Sequence, residues 1–153
     1  MKNIYISAIL LFILSCTSTE NTIKNIDTSA KKLAIRNNAF IFTEYANDKN
    51  YGYDKDYPVN IGVLTEKQEQ EYIDYFFNGL TGKNNEEVIY NKVSTCCPYP
   101  TKNNAMGAAT LSVYEISFEN SDKKHTLYFN IYERGKVMCP NGFSIKTFPT
   151  TNY

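Results

Sequence analysis

Apolar residues are distributed along the chain in three different patterns. The first is a near-continuous run, residues 4–14, diluted only by Tyr5, Ser7 and Ala8. The second is a helical stripe. Tyr72, Phe76 and Leu80 recur at four-residue spacing with Ile73 and Phe77 beside them, which is one face of an α-helix. Thr65 and Gln68 match a capping box. Glu66, Glu69 and Glu71 favour the positive end of the helix dipole. The spacing predicts a helix over residues 66–78, with Gly79 or Gly82 closing it in a left-handed conformation.

The third pattern is alternation. Residues 39–45 are aromatic and β-branched, and residues 60–63 suggest a short second strand. Residues 88–95 alternate. In residues 110–119, Leu111 and Val113 oppose Tyr114, Ile116 and Phe118. In residues 124–133, His125, Leu127, Phe129 and Ile131 oppose Thr126, Tyr128, Asn130 and Tyr132. Further strand starts stand at 136–139 and 143–146. Turn residues fill 47–58 and 120–123, and Arg134-Gly135 and Pro140-Asn141-Gly142 are turns as well. Short turns between successive strands predict antiparallel pairing. The expected architecture is α+β: an antiparallel sheet of about five to six strands with one main helix packed on it.

Between the first run and this domain, residues 17–38 are rich in Thr, Ser, Asn and Lys, with sparse Ile23, Ile26, Leu33 and Ile35. They read as a flexible tether, with a short helix near residues 29–35 as an option. The expected organisation is a signal segment at 1–15, a tether at 16–38, a domain at 39–147 and a tail at 148–153.

The opening run is too short for a transmembrane helix, which needs about 20 apolar residues. It has the length of a secretory signal core, behind the basic Lys2. It ends in Ile13-Leu14-Ser15-Cys16, a small residue followed at once by cysteine. This resembles the lipobox of bacterial lipoproteins, in which the cysteine sulfur receives a diacylglyceryl group. The signal is then cut before it and the new amino group is acylated. Cys16 is the expected lipid attachment, and two or three acyl chains hold a protein stably on a bilayer. Thr17 supplies no acidic retention signal, so the expected location is the cell envelope, at the outer membrane.

The 153 residues carry 16 Lys+Arg against 16 Asp+Glu, with one His, four Cys, 13 Tyr, seven Gly and no Trp. Balanced charge gives no basic footprint for nucleic acid. One His excludes a zinc site with two His ligands. The glycines are scattered and form no phosphate loop. No motif implies a cofactor or a metal.

Export would place the thiols in an oxidising compartment. Cys96, Cys97 and Cys139 are three, so one stays outside any intramolecular pair. The expected bridge runs from the 96/97 corner to Cys139, tying a strand end to the C-terminal hairpin. A vicinal Cys96–Cys97 bond, a redox role and a metal role are the alternatives. Asp48, Asn50, Asp54 and Asp56 place hard oxygens close together, but Gly52 comes one position too early for an EF-hand and no Glu closes the loop. Tyr51, Tyr53, Asp54, Asp56, Tyr57 and Tyr99 form a candidate binding surface, because tyrosine is common at interfaces. The alternative is that these rings plug the sheet ends. His125 reads as a packed strand residue.

Four stretches resemble a known family: Tyr51-Gly52-Tyr53-Asp54-Lys55-Asp56-Tyr57-Pro58-Val59-Asn60, Cys96-Cys97-Pro98-Tyr99-Pro100-Thr101-Lys102, Met106-Gly107-Ala108 and Leu127-Tyr128-Phe129-Asn130-Ile131-Tyr132-Glu133. Together they are similar to small lipoproteins of Gram-negative bacteria, some of which carry the name 2-dehydro-3-deoxyphosphooctonate aldolase. The resemblance spans residues 39–146. It implies the anchor and the small domain. The aldolase chemistry belongs to (β/α)₈ barrels of roughly 200 residues or more with a phosphate site, which this domain is too short to build. The expected function is a membrane-anchored, non-catalytic module that binds an envelope protein or small ligand. The alternative is an exported thiol/redox or other small enzyme using Cys96 or Cys97.

Overall fold

The computed structural model describes residues 20–148. The expected signal segment, Cys16 and the tail from residue 149 lie outside the described residues. The described chain is mixed α and β. In order it forms β1 (Ile35–Arg36), β2 (Ala39–Phe40), β3 (Val59–Asn60), α1 (Glu66–Asn78), β4 (Leu80–Thr81), β5 (Val88–Pro100), β6 (Ala108–Phe118), β7 (His125–Asn130) and β8 (Ser144–Ile145).

The helix matches the predicted span. Gln68 Oε1 accepts the Thr65 backbone N–H at 3.1 Å and the Thr65 hydroxyl at 2.9 Å, which satisfies the first turn. Ile73, Phe76 and Phe77 are its buried apolar face. The Phe76 ring meets Phe42 and Phe129 edge-on at 5.3 and 5.0 Å. Phe77 stacks on Tyr90 at 4.2 Å. Each such buried side chain contributes about 1.5–3 kcal/mol. The helix end differs from expectation. Gly79 has φ −82°, so it is right-handed, and Gly82 is not among the positive-φ glycines. Gly79 is instead the point where β2 crosses closely: a Cβ there would lie 2.4 Å from the Phe40 carbonyl oxygen.

The sheet also differs. Strands β5, β6 and β7 form the expected antiparallel meander, in the order β3-β7-β6-β5. However, β3 runs parallel to β7, pairing Val59 with Phe129 and Asn60 with Asn130. The remaining strands form two separate antiparallel pairs, β1–β2 and β4–β8. A single antiparallel sheet of five or six strands is therefore incorrect. Residues 41–45 do not extend β2 as a regular strand. Tyr45 makes an isolated parallel bridge to Cys139 instead, because the C-terminal segment returns beside it rather than joining the main sheet.

Alternation along β6 builds two cores on opposite sheet faces. Tyr114 and Ile116 join α1, Phe129 and Leu127 in the larger one. Leu111 faces the other way, with Tyr99 and Ala109, and Ile23 and Cys97 pack against them.

The stretch expected as a tether is strapped onto the domain from Thr22. The Thr22 hydroxyl donates to Asp56 at 2.8 Å. The backbone N–H groups of Lys24 and Asp27 donate to Asp56 O and Arg134 O, each at 2.8 Å. The buried Asn60 amide donates to the carbonyls of Lys24 and Asn25, both at 2.8 Å. Polar composition suited this strap because it docks through hydrogen bonds more than through apolar burial.

Candidate functional site

The end of the β5–β6 hairpin carries the densest unusual chemistry. The pairing of β5 with β6 slips between Cys96 and Tyr99. Pro98 has no N–H to offer a ladder, and Cys97 adopts φ +60°, a left-handed conformation uncommon outside glycine. The two cysteines of this bulge are bonded to each other, with Cα atoms 3.7 Å apart. Cys139 is free and buried. The expected bridge to Cys139 is therefore not formed. Cys139 belongs to the larger core, and Cys97 packs against the cluster on the reverse face. Burial pushes the Cys139 thiol up to about 12.

Beyond the bulge, Tyr99 turns inward and its hydroxyl donates to Asn130 Oδ1 at 2.6 Å. Burial holds this phenol above its ordinary range. Two residues on, the Thr101 hydroxyl donates to Glu133 Oε1 at 2.5 Å. Asn103 Nδ2 donates to Glu133 Oε2 at 3.0 Å and to Tyr132 O at 2.8 Å. Glu133 is only 6 % exposed. The ion pairs among the described residues are Lys92–Glu69, Lys124–Glu115 and Lys136–Glu44. None reaches Glu133. Its carboxylate lines a cleft of about 850 Å³, shared with Asn21, Ile26 and Thr28 of the strap and with Thr101 and Asn103. The lining also includes Lys102 and the apolar Ile26, Pro100 and Ala105, while the Glu133 carboxylate itself is met by neutral donors, an arrangement suited to an ammonium or hydroxyl-bearing group. A second, largely apolar cleft of about 600 Å³ lies between Leu33, Ile41 and Val137, flanked by Lys31 and the Lys136–Glu44 pair.

Of the tyrosine surface read from the sequence, Tyr51 and Tyr99 are buried, whereas Tyr53, Asp54, Asp56 and Tyr57 are half-buried. Tyr51 is fully buried. Its hydroxyl donates to Lys136 O at 3.3 Å and accepts the Met138 N–H at 3.1 Å. The Tyr53 hydroxyl donates to Asn141 O at 2.6 Å, and burial raises Tyr53 to about 12. Tyr57 sits edge-on to Tyr51 at 5.3 Å with the Lys24 ammonium 5.8 Å above its ring. Together with buried Tyr99, these phenols plug the ends of the sheet. Asp48 and Asp54 accept backbone N–H groups within their own turns, and Asp56 holds Thr22. Among the described residues, no group of three His, Cys, Asp or Glu side chains is placed to hold a metal. His125 lies between the Tyr53 and Phe118 rings at 6.3 and 6.4 Å.

Sequence reasoning missed Glu133, Thr101 and Asn103 as a unit. Thr101 and Glu133 stand 32 positions apart; each falls in a stretch quoted for the family resemblance, but nothing local to either stretch brings the two together. The only local signal was the polar turn composition of residues 101–104. No protein-family model, curated protein or solved structure matches the chain.

Proposed function

We propose that the protein is an envelope lipoprotein, held at the outer membrane by acyl chains on Cys16, whose domain is a non-catalytic binding module. The apolar run ending in Ser15-Cys16 and the resemblance to small Gram-negative lipoproteins support the address. The observation that carries the binding reading is Glu133. It is a buried carboxylate that opens on a cleft of ligand size, with neutral donors on both oxygens and no ion-pair partner among the described residues. A carboxylate taken out of water is costly unless a donor-rich or cationic group completes its shell. The Glu133 cleft is the proposed site.

The test is a nuclear magnetic resonance titration with glucosamine, using N-acetylglucosamine as the uncharged control. Millimolar glucosamine is expected to shift the Asn103 side-chain amide and the Gly107 backbone amide, and Glu133→Gln is expected to abolish the shift. Identical responses to the two sugars, or an unchanged response in Glu133→Gln, would refute a charge-selective site. Mass spectrometry of the mature N-terminus tests the anchor; an unmodified Cys16 thiol would refute it.

The Cys96–Cys97 bond favours one second reading, an exported thiol–disulfide protein. In that reaction an envelope dithiol attacks the bond and is itself oxidised to a disulfide, leaving two thiols here. If the Cys96→Ser/Cys97→Ser double variant leaves the redox state of envelope dithiols unchanged, the reading fails.

A further inference from the structure

The strap shortens the connection between the anchor and the domain, and that fixes which face meets the bilayer. Residues 17–21 separate Cys16 from Thr22, the first strap side chain bonded to the domain. Even fully extended, that length of chain spans at most about 20 Å. A folded unit of this size has a radius of gyration of about 14 Å, hence a diameter of about 35 Å. The connection is shorter than the domain is wide. A chain anchored at Cys16 cannot turn its far side to the membrane.

The near side carries one feature that the fold leaves unexplained. Asn21 and Ile26 share a cleft with residues 102–105 of the β5–β6 loop. At the tip of that loop, Met106 is 87 % exposed, the most exposed large apolar side chain among the described residues. The tip is braced. The Thr101 N–H donates to Gly107 O at 3.1 Å, the Gly107 N–H donates to Asn104 O at 2.9 Å, and Asn104 Oδ1 accepts the Met106 N–H at 3.1 Å. A preformed turn therefore holds an uncovered thioether outward, beside exposed Ala105 and with exposed Lys102 at its base.

We infer that the Met106 tip is a second membrane contact, inserting into the boundary between headgroups and acyl chains while Lys102 faces anionic headgroups. The occupant is the bilayer because the short connection brings this face to it. A lone apolar tip with a basic neighbour has the chemistry of an interfacial contact. This inference rests on the proposed lipidation of Cys16.

The chain contains no Trp, so a single introduced indole is a clean reporter. The full-length, lipidated Met106→Trp protein is reconstituted into vesicles of phosphatidylethanolamine and phosphatidylglycerol. Ile89→Trp is the comparator, because Ile89 is exposed near the opposite end of β5, about 35 Å along the strand. The indole of Met106→Trp is expected to emit to the blue of the comparator and to be quenched by brominated lipids, while Ile89→Trp stays water-like and unquenched. Intact mass is read on the same sample. If acyl chains are present and the indole at position 106 remains water-like, the contact is overturned and the anchor stands. A blue shift without lipid quenching puts a protein over the tip and also overturns the contact. If the mass shows a bare Cys16, the anchor falls and takes the contact with it.

Discussion

Replacing Gly79 with alanine sets two effects of opposite sign against each other. Gly79 ends α1 at φ −82° and ψ −2°, a conformation alanine adopts without strain. On backbone grounds alone, Gly79→Ala would stabilise the domain by about 0.4–1 kcal/mol, because the unfolded chain loses freedom. Packing opposes this. The new methyl carbon would lie 2.4 Å from the Phe40 carbonyl oxygen and 2.8 and 3.0 Å from two carbons of the Phe42 ring. Carbon contacts are comfortable at about 3.5–4.0 Å, so the overlap with the main chain is about 1 Å. Neither neighbour can swing aside. Phe40 is buried and paired in β2, and Phe42 is wedged against Phe76 at 5.3 Å.

Relieving that overlap means lifting β2 from the helix. Overpacking of this kind costs about 1–3 kcal/mol, which exceeds the backbone gain. The net expectation is a loss of about 1–2 kcal/mol, or roughly 3–8 °C in Tm for a domain of this size. The assay is urea unfolding followed by circular dichroism, comparing midpoints at constant m-value. Gly107→Ala is the counterpart, because it has φ +71° and nothing within 4 Å. Its cost should be the left-handed penalty alone, about 1–2 kcal/mol. A Gly79→Ala protein as stable as the parent, or more stable, would refute the close-approach reasoning.

Alkaline pH should report on tyrosines whose phenols are withdrawn from water. Burial raises Tyr51, Tyr90, Tyr99 and Tyr114 above the ordinary phenol value, so the unfolded chain loses protons first and stability falls as pH rises above about 10. Phenolate absorbance should show these four titrating only on unfolding; their early, reversible titration in the folded protein would contradict their burial. The Cys96→Ser/Cys97→Ser variant should change stability by less than about 1 kcal/mol, since bridging neighbours closes almost no loop and the entropic gain grows with loop length. A loss of about 2–4 kcal/mol, as for a long-loop bridge, would favour a bond to Cys139. Asn60→Ala removes the donor to Lys24 O and Asn25 O and should cost about 1–3 kcal/mol. Hydrogen exchange should then speed up at the Lys24 and Asp27 amides, and unchanged protection there would mean the strap is held by other contacts.

What could be read from the sequence was what local chemistry decides. The helix was legible because the Thr65/Gln68 cap and the Phe76 stripe lie within one element. The β5–β6–β7 meander was legible because alternation and short turns are neighbour effects. The parallel partner β3 was not. Its two residues, Val59 and Asn60, are oriented by what they meet on β7, and nothing nearby encodes a direction. The cysteine pairing escaped because counting thiols leaves three choices, and the choice depends on which sheet face each one occupies. The tyrosines were ambiguous for a similar reason. A ring is equally at home on a surface or in a plug, and the hydroxyl partner decides. For Tyr51 and Tyr53 those partners are carbonyls contributed by Lys136 and Asn141, more than 80 positions away.

The strap changes the meaning of the polar N-terminal stretch more than any other element. Read as a tether, it would separate anchor from domain and leave the domain free to face any direction. Docked from Thr22, it would couple the proposed anchor to the domain. Its own residues Asn21, Ile26 and Thr28 line the same cleft as Glu133, so the proposed site exists in full only while the strap is bound. On the anchored reading, the same segment that limits the domain's distance from the bilayer also builds the cleft. The ligand of that cleft is then met close to the membrane surface. Releasing the strap, as Asn60→Ala is designed to do, should weaken binding at Glu133 and loosen orientation on the membrane together. Two independent features would not be expected to respond to a substitution that touches neither the cleft wall nor the hairpin tip.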